Sequence, residues 1–249
     1  MSHLPIYIGC AGWNVGREQT AVFPVEGTHL QRYGSQLNGV EINSSFYRPH
    51  RHQTYVHWAE SVPRAFRFCV KVPKHITHEL RLLDCEQPLD EFLGQCSGLG
   101  ERLGCLLVQL PPSLAYDEPV AESFFRTLKE QYSGAVILEP RHESWVGAAS
   151  LLMTYGVSQA AVDPSRISND LSPAGAPDVQ YWRLHGSPRI YHSAYDQPFL
   201  KRLATQLQVA AAEGVTVWCI FDNTASGAAL RNALELSTCH PPLNIKNTP

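Results

Sequence analysis

Eight short β-rich runs recur along this chain, and most are separated by segments with helical character. They are 6–10 (IYIGC), 39–43 (GVEIN), 66–72 (FRFCVKV), 104–110 (GCLLVQL), 135–139 (AVILE), 158–163 (SQAAVD), 179–185 (VQYWRLH) and 215–221 (VTVWCIF). Strand–helix alternation argues for parallel βαβ units. Eight such units predict an α/β fold of the TIM type, a (β/α)8 barrel. Residues 1–249 are read as one domain, since α/β barrels routinely reach this length. An open doubly wound sheet is the alternative, but its nucleotide-binding signatures, G-x-G-x-x-G and the P-loop, are absent.

The intervening segments carry ordinary helix signals. Thr28 precedes THLQRYGSQL as an N-cap, and EPVAESFFRTLKEQY places Val120, Phe124, Phe125 and Leu128 on one face. PLDEFLGQCSGLG opens on proline and closes on glycines. One connection departs from the pattern. PSRISNDLSPAGAPD (164–178) is rich in Pro, Ser, Asp and Gly, so a loop is expected in place of the helix after strand 6. The tail from about 239 to 249 reads as irregular.

Strand side chains alternate between faces. Val40 and Ile42 share one face, and Glu41 and Asn43 the other. The same parity separates Phe66, Phe68, Val70 and Val72 from Arg67, Cys69 and Lys71, and Trp182 and Leu184 from Tyr181, Arg183 and His185. Glu139 follows Ala135 and Ile137, and Gln109 follows Cys105 and Leu107. A surface strand would be polar along its whole length, and these runs are too apolar for that. The pattern predicts that Glu41, Asn43, Lys71, Gln109, Glu139, Arg183 and His185 surround the C-terminal mouth of one barrel, where active sites of this fold sit.

Composition narrows the function classes. Hydrophobic residues make up 44% of the chain and charged residues 17%, which suits a globular core. A net charge of −3 supplies no general basic field for nucleic acid or anionic lipid. A nucleic-acid or partner-binding module is a third reading, resting on a basic rim of Arg48, Arg51, Lys74 and Arg141. No run approaches a membrane span, and the N-terminus lacks the pattern of a signal peptide. The seven cysteines are odd in number and contain no C-x-x-C, so free thiols in a reducing, cytoplasmic compartment are expected.

The stretches IGCAGW (8–13), VEINSSFYR (40–48), FRFCVKVPKHITH (66–78), LLVQLPPS (106–113), LEPRHESW (138–145), YWRLHG (181–186) and FDNTASGAALRNALEL (221–236) together resemble the YecE-like family, domain of unknown function family 72. The resemblance spans almost the whole chain and implies a TIM-type barrel, with no defined activity. Three departures mark this sequence: Cys10 stands where Thr or Ser is expected, Pro140 where a phenylalanine is expected between Glu139 and Arg141, and Asp222-Asn223 where two asparagines are usual.

Glu41, Lys71 and Glu139 have the residue types of an acid/base centre, and Lys71 is also a candidate Schiff-base amine. The competing account is a salt-bridge network that plugs the barrel. Arg141, Arg183 and Lys71 suit a phosphate or carboxylate. Tyr47, Trp13 and Trp145 are candidate pocket walls, and Asn43, Gln109, His185 and Asn223 complete the expected substrate contacts. The expected ligand is therefore a small anionic or polar molecule. Nothing in the sequence requires a cofactor. A divalent metal held by Glu41, Glu139, Asp163 and His185, in a hydrolase of phosphoesterase or nuclease type, is the weaker alternative.

Overall fold

The computed structural model describes residues 5–16, 22–167 and 171–239. Its strands are β1 (Ile6–Cys10), β2 (Gly39–Ile42), β3 (Arg67–Lys71), β4 (Leu103–Gln109), β5 (Ala135–Glu139), β6 (Val157–Gln159), β7 (Ala161–Asp163), β8 (Ala174–Gly175), β9 (Val179–Leu184) and β10 (Thr216–Phe221). They form two sheets, in the orders β1-β10-β9-β7 and β2-β3-β4-β5-β6-β8. Every pairing is parallel except β6 with β8. The fold is α/β with parallel sheets.

The sixth β-rich run is divided between the sheets. Its first half, β6, pairs with β5, and Ala160 N donates to Leu138 O at 2.9 Å. Its second half, β7, pairs with β9. On the other side β1 approaches β2 with little ladder of its own, and side chains supply the bonds. Asn38 accepts from Ile8 N at 2.9 Å and donates to Ile6 O at 2.8 Å. The Tyr33 hydroxyl accepts from Cys10 N at 2.8 Å and donates to Gly39 O at 2.9 Å. Gly12 N donates to Glu41 O at 2.9 Å. Gly9 permits the approach, because a Cβ there would lie 1.9 Å from Gly39 O.

The helices are α1 (His29–Gly34), α2 (Ser44–Tyr47), α3 (His52–Glu60), α4 (Glu86–Cys96), α5 (Glu118–Gln131), α6 (Ala149–Thr154), α7 (Gln197–Ala212) and α8 (Ala228–Thr238). Thr28 closes a capping box on α1 with Gln31. Asp117 caps α5, which buries Ala121, Phe124, Phe125 and Leu128. Two helical turns follow strand ends: α2 directly after β2, and a π-helical turn at His75–Glu79 after β3. Ser45 ties α2 to the sheet, its hydroxyl lying 2.7 Å from Lys71 O and 2.9 Å from Ile42 O. Among the described residues no helix lies between β7 and β9, as the Pro/Ser/Gly composition predicts, although β8 adds a short strand there. The expected irregular tail lies outside the described residues beyond Cys239, which caps the end of α8.

The apolar residues divide into two layers by strand parity. Val40, Ile42, Phe68, Val70, Leu106, Val108, Val136, Leu138, Trp182 and Leu184 pack with the helices. Cys69, Cys105, Leu107, Ile137, Ala160, Tyr181, Trp218 and Ile220 form a separate buried cluster on the opposite faces. Trp218 lies between Tyr7 (ring centroids 4.7 Å apart) and Tyr181 (6.1 Å, stacked). Gly104 leaves room for the indole, since a Cβ would meet it at 2.5 Å. The polar strand ends continue the parity of this second cluster.

Candidate functional site

Arg183, fully buried near the end of β9, organises the polar strand ends. Its guanidinium grips Glu41 with two nitrogens, Nη2 to Oε1 at 2.7 Å and Nε to Oε2 at 2.9 Å. Nη1 reaches Glu139 Oε2 at 3.0 Å and Nη2 reaches Asp222 Oδ2 at 3.0 Å. Below it, the Tyr181 hydroxyl donates to Glu41 Oε2 at 2.9 Å. Arg141 clamps the other Glu139 oxygen through Nε and Nη2, both at 2.8 Å. Glu41, Glu139 and Arg183 are sealed from solvent, so their mutual pairing offsets the large cost of burying charge.

His185 closes the network. Nδ1 lies 2.9 Å from Asp222 Oδ2, and Nε2 lies 3.3 Å from Glu139 Oε1. Burial pushes the imidazole down, but the Glu139 charge and the hydrogen bonds to Asp222 and Glu139 outweigh it, so it titrates above its ordinary value. The same pairing holds both carboxylates low. Burial would raise them, and Arg183 with His185 reverses this for Glu139, as Arg183 and the His185 bond do for Asp222.

Lys71 behaves differently. It ends β3, is 6% exposed, and has no carboxylate within ion-pair distance among the described residues. Its ammonium sits 4.2 Å from the centre of the Phe46 ring. Burial, reinforced by the Arg183 charge, lowers its pKa to about 8 despite the pull of Glu41, Glu139 and Asp222. Gln109, also 6% exposed, makes no side-chain hydrogen bond among the described residues, and the buried Asn43 Oδ1 has no partner. Asn43 also borders a cavity of about 330 Å³ lined by Gly12, Trp13, Asn14, His29 and Ser44. Lys71, Glu139, Arg183 and His185 do not line that cavity.

A family model described as a protein of unknown function, DUF72, matches residues 7–241. The chain belongs to the DUF72 family. It is 29% identical to the UPF0759 protein YecE of Escherichia coli K12 over 174 residues, which cover 69% of this chain and 61% of that relative. It is 28% identical to the UPF0759 protein YunF of Bacillus subtilis, with 93% of each chain covered. A DUF72 family protein from Thermotoga maritima superposes with a TM-score of 0.79 at 25% identity, covering 95% of this chain and 98% of the other. A second, from Enterococcus faecalis, gives 0.78 at 20% identity, covering 94% and 95%.

In this DUF72 chain the structure brings together Glu41, Lys71, Glu139, Arg141, Arg183 and His185, and places Asn43 and Gln109 at neighbouring strand ends. Three expected wall or contact residues stand apart from this ion-pair network. Trp145 is buried, donates Nε1 to Leu114 O at 2.9 Å and packs on Tyr116, so it belongs to the helix-side core. Tyr47 is 78% exposed at the end of α2, its ring touching Phe46 edge-on. Asn223 is buried, its Nδ2 donating to Ser193 O at 2.8 Å and to Asn232 Oδ1 at 3.1 Å, while its Oδ1 has no partner among the described residues. Of the weaker metal set, Asp163 Oδ2 accepts from the Tyr195 hydroxyl at 2.7 Å, and the Arg183 guanidinium bridges Glu41 and Glu139. Among the described residues no group of three or more His, Cys, Asp or Glu is arranged to hold a metal. Asp222 and Tyr181 are absent from the expected set. Both share inward parity, Asp222 with Trp218 and Ile220, and Tyr181 with Arg183, and that parity was the available signal.

Proposed function

We propose that the chain is an enzyme acting on a small anionic or polar molecule by acid/base chemistry, at the C-terminal ends of the strands. The two sheets are read as one TIM-type (β/α)8 barrel and one domain. The run 157–163 shared between them, and the Tyr33, Asn38 and Gly12 bonds that join β1 to β2, support that closure. One observation carries the functional reading: among the described residues Lys71 is nearly buried and has no ion-pair partner, beside a network whose other charges are all paired. A cation kept for structure alone would be expected to hold a carboxylate.

On this reading Arg183, Glu41 and Tyr181 form a rigid floor. Lys71, with its pKa at about 8, exchanges a proton with the substrate near neutral pH. His185, positioned by Asp222 and Glu139, supplies a second proton-carrying group. The net charge of −3 favours a small-molecule substrate over nucleic acid. Seven free cysteines, six of them buried, support a reducing, cytoplasmic setting. No helix among the described residues is long and apolar enough to cross a membrane.

The test uses Lys71→Met, a change of similar volume. Inorganic phosphate and simple carboxylates are titrated while the melting temperature (Tm) is followed. Phosphate is expected to raise the wild-type Tm, and the variant is expected to melt at the same temperature or higher without responding, because removing an unpaired buried charge relieves strain. A variant that loses several kcal/mol of stability and still responds to phosphate would make the polar strand ends a structural plug.

A further inference from the structure

We propose that Lys71 is a carbonyl-reactive amine, and that the site takes a small anionic aldehyde or ketone and holds it as an imine on Lys71 Nζ. This rests on the reading of the site given above, adds its class of substrate, and gives Lys71 a nucleophilic role in place of proton exchange, which then falls to His185. Three observations lead there. The first is the isolation of Lys71. Arg183, Arg141 and His185 each contact a carboxylate, while among the described residues Lys71 has only the Phe46 ring against its Nζ. An imine-forming amine needs that isolation, because an ammonium locked to a carboxylate keeps its proton and cannot attack.

The second observation is the pair of unbonded polar side chains on the adjacent strand ends, Asn43 after β2 and Gln109 on β4. Gln109 is more than nine-tenths buried, and the Asn43 Oδ1 is wholly so. Buried amides ordinarily find partners. Here they supply donors and an acceptor for hydroxyl or carbonyl oxygens beside the reacting carbon. The third is the charge around His78, whose ring stacks edge-on against Phe46. Burial, then Lys71, Arg141, Lys74 and Arg81, push its pKa down to about 4. His78 thus stays neutral among four cations, and Glu79 is the acid paired with Lys74 on this side. A phosphate or carboxylate on the substrate fits that field.

The chemistry balances without a co-reactant. Free-base Nζ adds to the carbonyl carbon, a proton passes from nitrogen to the carbinolamine oxygen, and water leaves as the C=N bond forms. A proton on the imine nitrogen restores the positive charge that the ammonium held. With the pKa at about 8, about one Lys71 in ten is free base at pH 7.

The test traps the imine. The whole protein is incubated at neutral pH with glycolaldehyde phosphate and cyanoborohydride, which reduces an imine to a stable secondary amine, and peptides are mapped by mass. The chain has few lysines (71, 74, 129, 201 and 246), so assignment is direct. Lys74, with half its side chain exposed, is the internal control. Lys71 is expected to be labelled more than about tenfold faster than Lys74, given its lowered pKa. Inorganic phosphate is expected to slow this labelling, and uncharged glycolaldehyde to react more slowly. Equal rates at Lys71 and Lys74 overturn the imine. Equal rates with the charged and uncharged aldehydes overturn the anionic class. Unselective labelling together with a phosphate-induced rise in Tm that Lys71→Met abolishes sinks the imine and leaves the acid/base reading standing. Unselective labelling with no such rise sinks both.

Discussion

Glu139 joins three cationic side chains through two oxygens, and that makes it the residue whose loss is felt first. Glu139→Gln keeps the shape but removes the charge that Arg183, Arg141 and His185 share. Leaving Arg183 buried with one fewer carboxylate is expected to cost about 3–5 kcal/mol, measured by urea denaturation. A loss below about 1 kcal/mol would mean that the network relaxes and that Glu139 is not structural. The contrast with the neutral or stabilising Lys71→Met separates floor from reactive group within one cluster. His185 adds a pH signature. Its folded pKa is raised above the ordinary 6.5, so its contribution is fully present below 6.5 and is lost as pH rises through the folded value. Glu139 and Asp222 run the other way: their folded values are depressed, so their contribution is present above the ordinary carboxylate range and is lost on acidification. His185→Asn is therefore expected to flatten the decline in stability above pH 6.5 while the acid limb persists. An unchanged alkaline limb would show that His185 is neutral when folded.

At the scale of elements, the joint between β1 and β2 is shared by the Tyr33 phenol, the Asn38 amide and Gly12 N. The Tyr33 hydroxyl stands in for a ladder, accepting from Cys10 N and donating to Gly39 O. Tyr33→Phe leaves a buried N–H and a buried C=O without partners, each worth about 1–3 kcal/mol. The expected result is a loss of about 2–5 kcal/mol in urea, with faster hydrogen exchange confined to β1 and β2. Uniform acceleration across β3–β5 as well would show that the joint is not a local device. The bonding role of Tyr33 was not legible in the sequence, because Cys10 lies twenty-three residues away. The α2 turn and the π-turn at 75–79 were illegible for a related reason: Ser45 docks on Lys71 O from the next strand, a contact no local pattern encodes.

The whole molecule holds its thiols apart from chemistry. All seven cysteines are free, and all but Cys239 are buried. Burial drives the thiols of Cys10, Cys85 and Cys96 up to about 12, and those of Cys105 and Cys219 well above their ordinary value. Alkylation of the native protein is expected to touch Cys239 first and the others only on unfolding, while denatured protein without reductant yields all seven thiols. A disulfide surviving denaturation would remove the argument for a reducing compartment.

The division of the apolar residues between two packed layers could be read from the sequence, because the two-residue period of a strand assigns Trp182 outward and Tyr181 and Arg183 inward wherever the strand lies. The same period set Glu41, Lys71 and Glu139 on the inward faces. It could not state which of them are mutually bonded. That choice belongs to the tertiary structure alone, because Glu41 and Arg183 are separated by 142 positions and meet only when the folded chain brings β2 and β9 together. The fold also pulled Trp145 into the helix-side core, where Leu114 O satisfies its indole, and brought Asp222 into the network one residue past the apparent end of its strand. Above all it left Lys71 with no carboxylate at ion-pair distance among the described residues, although Glu41, Glu139 and Asp222 lie within its field. A sequence lists the charges, but partnership depends on angstrom-scale distances between chain-distant atoms, and only the folded chain sets those.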